Sequence, residues 1–377
     1  MMNFRKYSNV TKIVIPDKVR LSTTNFSLAF QGCNALESIK IPNSVTNISY
    51  AYSGCNNLTG SPVCGDSVVD MYGAYQSCPN ISGTAACGNN VTNMIGAYAY
   101  CDKITGAACG PNVISMREAF RGCNSLTGNL ACGDSVIDMA GAYRSCELYS
   151  GSPVCGRNVQ NMASAYSWCW GMTGSPVCGP NVINMSSAYS TCENLTGSPV
   201  CGLNVTTMSS TYKSCSKLTG SPVCGSNVVN MCDTYWGCYN LSGSPVCGNN
   251  VINMVNTYRS CNNLTGSPVC GYNVTNMAQT YNGCVNLASN GYFYSSIVSN
   301  ACKCFTNRNT ANYLNLYVPA NSTTLNTCLY NNTSSMVGAD ITWTDDTATN
   351  GCYYNTYYNI YIYPVEDVAA ARAANGD

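Results

Sequence analysis

Cysteine is the residue type here whose number and spacing could do chemistry. There are 27 cysteines and no histidine. Most fall in two columns at a period of 22 or 23 residues. One column runs Cys33, Cys55, Cys78, Cys101, Cys123, Cys146, Cys169, Cys192, Cys215, Cys238, Cys261 and Cys284. The other runs Cys64, Cys87, Cys109, Cys132, Cys155, Cys178, Cys201, Cys224, Cys247 and Cys270. Two readings compete. One is a disulfide within each repeat, as in an oxidising compartment. The other is a pair of free-thiol columns, with the first column buried as a small hydrophobe. The partners of a repeat flank about nine residues of extended chain, far beyond the ~7 Å Cα limit of a disulfide unless the chain bends back. That spacing favours free thiols.

Zinc fits poorly. No C-x2–4-C pair recurs, and without histidine a site needs four thiolates; Cys302-Lys-Cys304 is an isolated signal. Metal ligands and cofactors are therefore expected to be none. Catalysis has no constellation either. The commonest general base is missing, Asp345 and Asp346 lack matching carboxylates, and no P-loop, dinucleotide fingerprint or nucleophile elbow occurs. No enzyme is expected.

The elements that position the cysteines are repeats. LTGSPVCGLNVTTMSSTYKSCSK begins at Leu195, and near copies begin at Leu218, Leu241 and Leu264, and earlier at Leu58, Ile81, Ile104, Leu126, Tyr149 and Met172. A fixed period of this size marks a repeat solenoid. Each coil reads L-T-G-S-P-V-C-G-x-N-V-x-N-M-x-x-A-Y-x-x-C-x-N. Leu58, Ser61 and Val63 are expected on the inner face of a strand, with Gly65 turning the chain. Met71, Ala74, Tyr75 and Cys78 have the spacing of one face of a short helix or 3₁₀ turn. Asn181, Asn204, Asn227, Asn250 and Asn273 form a column expected to satisfy backbone groups in the turns. The predicted fold class is a repeat solenoid, leucine-rich-repeat-like, with one short parallel strand and one short helical turn per 22–23-residue coil. A few apolar side chains per coil do not offset its backbone entropy, so stability must lie between coils.

The division along the chain follows. Residues 1–9 lead in, and 10–287 form about 12–13 coils. Residues 288–366 hold degenerate coils and a mixed β cap, including the alternating stretches 341–346 and 353–365. Residues 367–377 are a terminal helix or attachment tail.

AFQGCNALESIKIPNSVTNI, Ala29 to Ile48, resembles the BspA-type leucine-rich repeat of microbial surface proteins, whose pattern is AFxxC, LxxIxIP, then a valine and an isoleucine. Val10, Ile13 and Ile15, and again Leu36, Ile39 and Ile41, carry the strand spacing. Later coils depart from it, with VCG for IP and methionine for isoleucine. The resemblance implies a leucine-rich-repeat fold through Leu287 and a surface or adhesion role. Similar coils with similar tails occur in proteins of tailed bacteriophages, which implies a virion role, in a tail or fibre.

Charged residues make up 9%, with 17 basic against 17 acidic. That excludes a concentrated basic face, so no nucleic acid and no polybasic membrane anchor are expected. No apolar run is long enough to span a membrane, and the first residues carry no signal-peptide core. The expected location is a virion or extracellular surface without a cleaved signal peptide, with the cytoplasm as the alternative.

Two faces compete for binding. The strand face repeats Thr173, Thr196, Thr219 and Thr265 with little change, and is read as fixed by packing and repeat duplication. Around the aromatic and its cysteine the residues vary from coil to coil. Arg117, Arg121, Arg144, Trp168, Trp170, Lys213, Trp236, Tyr239 and Arg259 lie there. Variation on a constant frame suits recognition, and Trp and Tyr suit sugar or protein contacts; the bland alternative is a solvated surface that drifts freely. The ligand-binding candidates are Arg121, Arg144, Trp168, Trp170, Lys213, Trp236, Tyr239 and Arg259. The expected partners are a cell-surface glycan or protein, with other virion proteins or self-association. A structural spacer or assembly subunit, or a bacterial surface adhesin, is the alternative.

Overall fold

The computed structural model describes residues 4, 9–62, 64–127, 130, 132–306, 313–322, 344–346, 352–355 and 360–377. Val63, Cys328 and residues 341–343 and 356–359 of the alternating stretches lie outside them. The chain divides into two compact units, Met1–Leu195 and Thr196–Asp377. Each is a stack of coils.

The core of both units is built from the columns read in the sequence. Met139, Ala142, Tyr143 and Cys146 are fully buried, and so are Met231, Thr234, Tyr235 and Cys238. Aromatic rings stack in register from coil to coil. In the first unit Phe30, Tyr52, Tyr75, Tyr98, Phe120, Tyr143, Tyr166 and Tyr189 lie 4.9–5.7 Å apart. In the second, Tyr212, Tyr235, Tyr258, Tyr281 and Phe305 lie 5.5–5.6 Å apart. These offset stacks add to plain apolar burial.

The expected helical turn is not a helix. Across Met231–Cys238, the amides of Met231, Asp233, Tyr235 and Gly237 donate to Asn253, Val255, Thr257 and Arg259 carbonyls of the next coil, at 2.8–2.9 Å. The alternate amides of Thr234, Trp236 and Cys238 donate back three residues, at 3.0–3.2 Å. Met139–Cys146 repeats this pattern in the first unit. Asp233 and Gly237 have φ of 57° and 79°, and Gly141 and Ser145 have 62° and 60°. A left-handed residue at every fourth position makes a staircase of β-turns and rules out a continuous helix. The reason is the stacking itself. A helix would close its amides internally, whereas the staircase sends every second N–H to its neighbour.

The expected strand per coil is also reduced. The first unit has β1 (Lys12–Val14) parallel to β2 (Ser38–Lys40), and β3 (Ser82–Ala85) parallel to β4 (Lys103–Ala107). Elsewhere in this unit the extended side is irregular. Three local causes act in TGSPVC. The glycine sits at φ near +80°, with the serine of the preceding coil pressed where a Cβ would be. The proline has no N–H to give a ladder. The valine's N–H and C=O are both taken by a tyrosine hydroxyl from the opposite side of the coil, as at Val154 with Tyr166 and Val223 with Tyr235. In β4 these ease: Gly106 is not at positive φ, alanines stand in place of Pro-Val, and Phe120 has no hydroxyl. There Ala108 N–H donates to Ala85 O at 2.8 Å.

The second unit ends in a six-stranded sheet of order β5-β6-β7-β10-β9-β8. β5 (Val269–Cys270), β6 (Asn290–Phe293), β7 (Leu314–Pro319) and β10 (Ile360–Val365) run parallel. β9 (Cys352–Asn355) and β8 (Thr344–Asp346) run antiparallel to their neighbours. The terminal residues form α1 (Val368–Ala374), capped by the Asp367 carboxylate, which accepts from the amides of Ala369 and Ala370. Asp367 is a preferred N-cap residue for this reason.

Candidate functional site

The turn side of the coils holds the candidate residues, and its shape comes from an asparagine column. The residue before each methionine turns its side-chain oxygen back to the amide two residues on, as Asn161 does to Ala163, Asn230 to Cys232 and Asn253 to Val255, at 3.0–3.1 Å. These Asx turns start each staircase at the same point. The asparagine column read from the sequence has another task. Asn181, Asn227, Asn250 and Asn273 each donate to a carbonyl of the preceding coil, at 2.8–3.2 Å.

With methionine, Ala or Thr, aromatic and cysteine turned inward, the residues between them face out. In the first unit, Arg121 lies 3.3 Å from the Glu118 carboxylate, with its guanidinium 5.3 Å from the Tyr100 ring centre. Arg144 is half-buried, and its Nε is enclosed without an acceptor. Trp168 and Trp170 are 45% and 40% exposed and touch each other, ring centres 6.2 Å apart. In the second unit, Lys213, Trp236 and Arg259 meet. The Lys213 ammonium is 4.0 Å and the Arg259 guanidinium 4.6 Å from the Trp236 ring centre. Asp233 holds Lys213 at 3.6 Å and accepts from Asn256 at 2.9 Å. Tyr239, three residues after Trp236, is exposed.

Sequence reading missed Tyr50, Tyr72, Tyr100, Glu118 and Asp233. Tyr50 and Tyr72 meet edge to face at 4.9 Å. All five stand at coil positions where the sequence varies, and that was the available signal.

The thiols are not poised for chemistry. The cysteines of both columns are thiols and not disulfides. The turn-side thiols donate to the carbonyl of the preceding coil's aromatic, as Cys78 to Tyr52 and Cys238 to Tyr212, both 3.0 Å. On the extended side the sulfur accepts a glycine amide of the next coil, as Cys64 from Gly88 at 3.0 Å. Burial pushes Cys78, Cys87, Cys123 and Cys284 up to about 12, so the nucleophilic thiolate is scarce. Among the described residues no group of three or more Cys, Asp or Glu side chains is arranged to hold a metal ion. Asp345 and Asp346 fall in β8, where only the backbone is described. No helix among the described residues is long and apolar enough to cross a membrane.

The recurring coil, its inward leucine and its inward aromatic match a known repeat. Residues 2–127 match the BspA type leucine rich repeat region, in six copies. The match covers about a third of the chain, and the coils beyond it keep the same inward columns. A leucine-rich repeat protein from Bacteroides ovatus is 17% identical, with a TM-score of 0.43 over 87% of this chain and 82% of that one. A leucine rich cell surface protein from Faecalibacterium prausnitzii is 15% identical, with a TM-score of 0.39 over 87% of this chain and 92% of its own. No curated protein sequence matches.

Proposed function

We propose that the chain is a non-enzymatic adhesion module whose turn side attaches to a cell-surface glycan or protein. The observation that carries this reading is the stack of Lys213, Trp236 and Arg259 on a frame that otherwise repeats. An indole held between two cations has restricted rotamers, so it loses little entropy on binding. In the first unit the turn side supplies the Trp168–Trp170 pair and the Arg121–Tyr100 contact. The charged donors around the indole, with the exposed Trp168–Trp170 pair, fit sugar hydroxyls and polar peptide surfaces alike. The setting follows from resemblance. The tail and coils support the virion of a tailed bacteriophage, and the match over residues 2–127 supports a bacterial surface.

The test is binding of the purified chain to host cells, and to an array of their glycans, with Trp168→Ala, Trp170→Ala and Trp236→Ala combined. The reading expects at least about a tenfold loss, as for a desolvated aromatic anchor, with an unchanged melting temperature. Full binding by the folded triple variant would remove the turn side from consideration.

A second reading, an assembly subunit, has one observation in its favour. Several coils expose a β-branched residue in register, among them Ile114, Ile137 and Ile183 in the first unit, and Val229 and Ile252 in the second. Sedimentation across a concentration range separates the two readings: a reversible oligomer supports the second.

A further inference from the structure

Across the core from the turn side, the second unit has a cleft of about 530 Å³ between the coils and α1. Its floor is backbone and small side chains of two successive coils, Val246 and Cys247 with Val269 and Cys270. One wall is the exposed Tyr272 against Tyr294, ring centres 5.0 Å apart and tilted by 41°. The other is α1, which contributes Ala369 and Arg372. Neither tyrosine hydroxyl has a hydrogen-bond partner among the described residues. The Arg372 guanidinium lies 5.5 Å from the Tyr292 ring centre and forms no ion pair among the described residues. The two acids five residues away in sequence are engaged elsewhere: the Asp367 carboxylate caps α1, and the Asp377 carboxylate accepts from Tyr292 Oη at 2.6 Å and from Asn290 at 3.4 Å.

We propose that this cleft binds an acidic monosaccharide unit of a glycan, a sugar that carries a carboxylate. The argument is one of matched parts. A pyranose ring has an apolar C–H face that lies on tyrosine rings, and its hydroxyls suit free phenol groups. A planar carboxylate suits an unpaired guanidinium, which can bind it with two parallel hydrogen bonds. The cleft lines all three along one wall-to-wall space, and Arg372 is the group that selects acid over neutral sugar. This site is separate from the turn side and does not rest on it.

The test is calorimetric titration of the full chain with the methyl α-glycoside of N-acetylneuraminic acid and with digalacturonic acid, each against methyl galactoside. Saturable binding of at least one acidic sugar is expected, about tenfold or more tighter than the neutral one. Arg372→Ala should remove that preference and Tyr272→Ala should weaken binding, whereas Trp236→Ala should change nothing. Arg372 and Tyr272 are at the surface, and circular dichroism checks that their variants fold. Equal affinity for acidic and neutral sugars, an undiminished preference in Arg372→Ala, or no binding of any sugar would overturn the proposal. Loss on Trp236→Ala alone would place acidic-sugar binding on the turn side and overturn it too.

Discussion

The two sides of a coil are held by different means. On the turn side each coil gives its neighbour four backbone hydrogen bonds, from Met231, Asp233, Tyr235 and Gly237 in one example. On the extended side the corresponding run has little ladder: Ser242 N–H reaches Gly220 O, and the valine is fixed from within by a tyrosine hydroxyl. The turn side therefore sets the register between coils. The extended side is tied to that register through the core. A surface that varies can sit on the turn side because the stacking bonds that repeat from coil to coil run through the main chain.

The largest test of this contrast is alkaline. Burial raises Cys78, Cys123 and Cys284 from 9.0 to about 12 in the folded chain. The unfolded thiol ionises first, so the stabilisation is complete below pH 9 and is lost as pH rises toward 12. Each such thiol contributes about 1.4 kcal/mol per pH unit in that window. The melting temperature should fall steeply between pH 9 and 11, and a flat profile would mean that the columns are not buried. A thiol reagent sharpens the same point. The extended-side column is half-buried through most of its length and should react in the native chain before the turn-side column, which is buried.

Next in size is Tyr235→Phe. It strips the hydroxyl that serves both Val223 N–H and Val223 O, and should cost about 1–3 kcal/mol in chemical denaturation. A cost near zero would mean that the freed valine joins a ladder, as Ala108 does where Phe120 stands. Asn253→Ala removes an Asx turn on the other side and should cost about 1 kcal/mol. The smallest effect is Ser210→Gly. Ser210 has φ of 56°, and glycine relieves about 1 kcal/mol of left-handed strain while adding nearly as much unfolded-state entropy. The net change in melting temperature should be a degree or two at most.

What the sequence reveals of this arrangement follows the same division. Periodicity alone names the inward Met, Ala, Tyr and Cys, because burial selects residue type whatever the backbone does. The backbone conformation was hidden for the same reason: i, i+3 and i+4 spacing suits a β-turn staircase as well as a helix. Gly73, Gly96 and Gly141 at the third position, and Gly122, Gly237 and Gly283 at the seventh, were the visible signs of positive φ. Serine, aspartate and tryptophan at those positions in other coils masked them. The proline of SPVC was a plain argument against a strand. The tyrosine–valine bridge spans 12 residues and the core, and no local pattern announces it. For the candidate site, the variable residues could be picked out, but which of them touch could not. Lys213, Trp236 and Arg259 come from three coils, and only stacking in register brings them together.

Hydrogen exchange resolved to peptides, comparing Met231–Cys238 with Leu241–Cys247, tests the central claim most directly. The account predicts slower exchange on the turn side, where each amide is bonded to the next coil, to the turn or to the Asn230 side chain. Faster exchange there than on the extended side would contradict it.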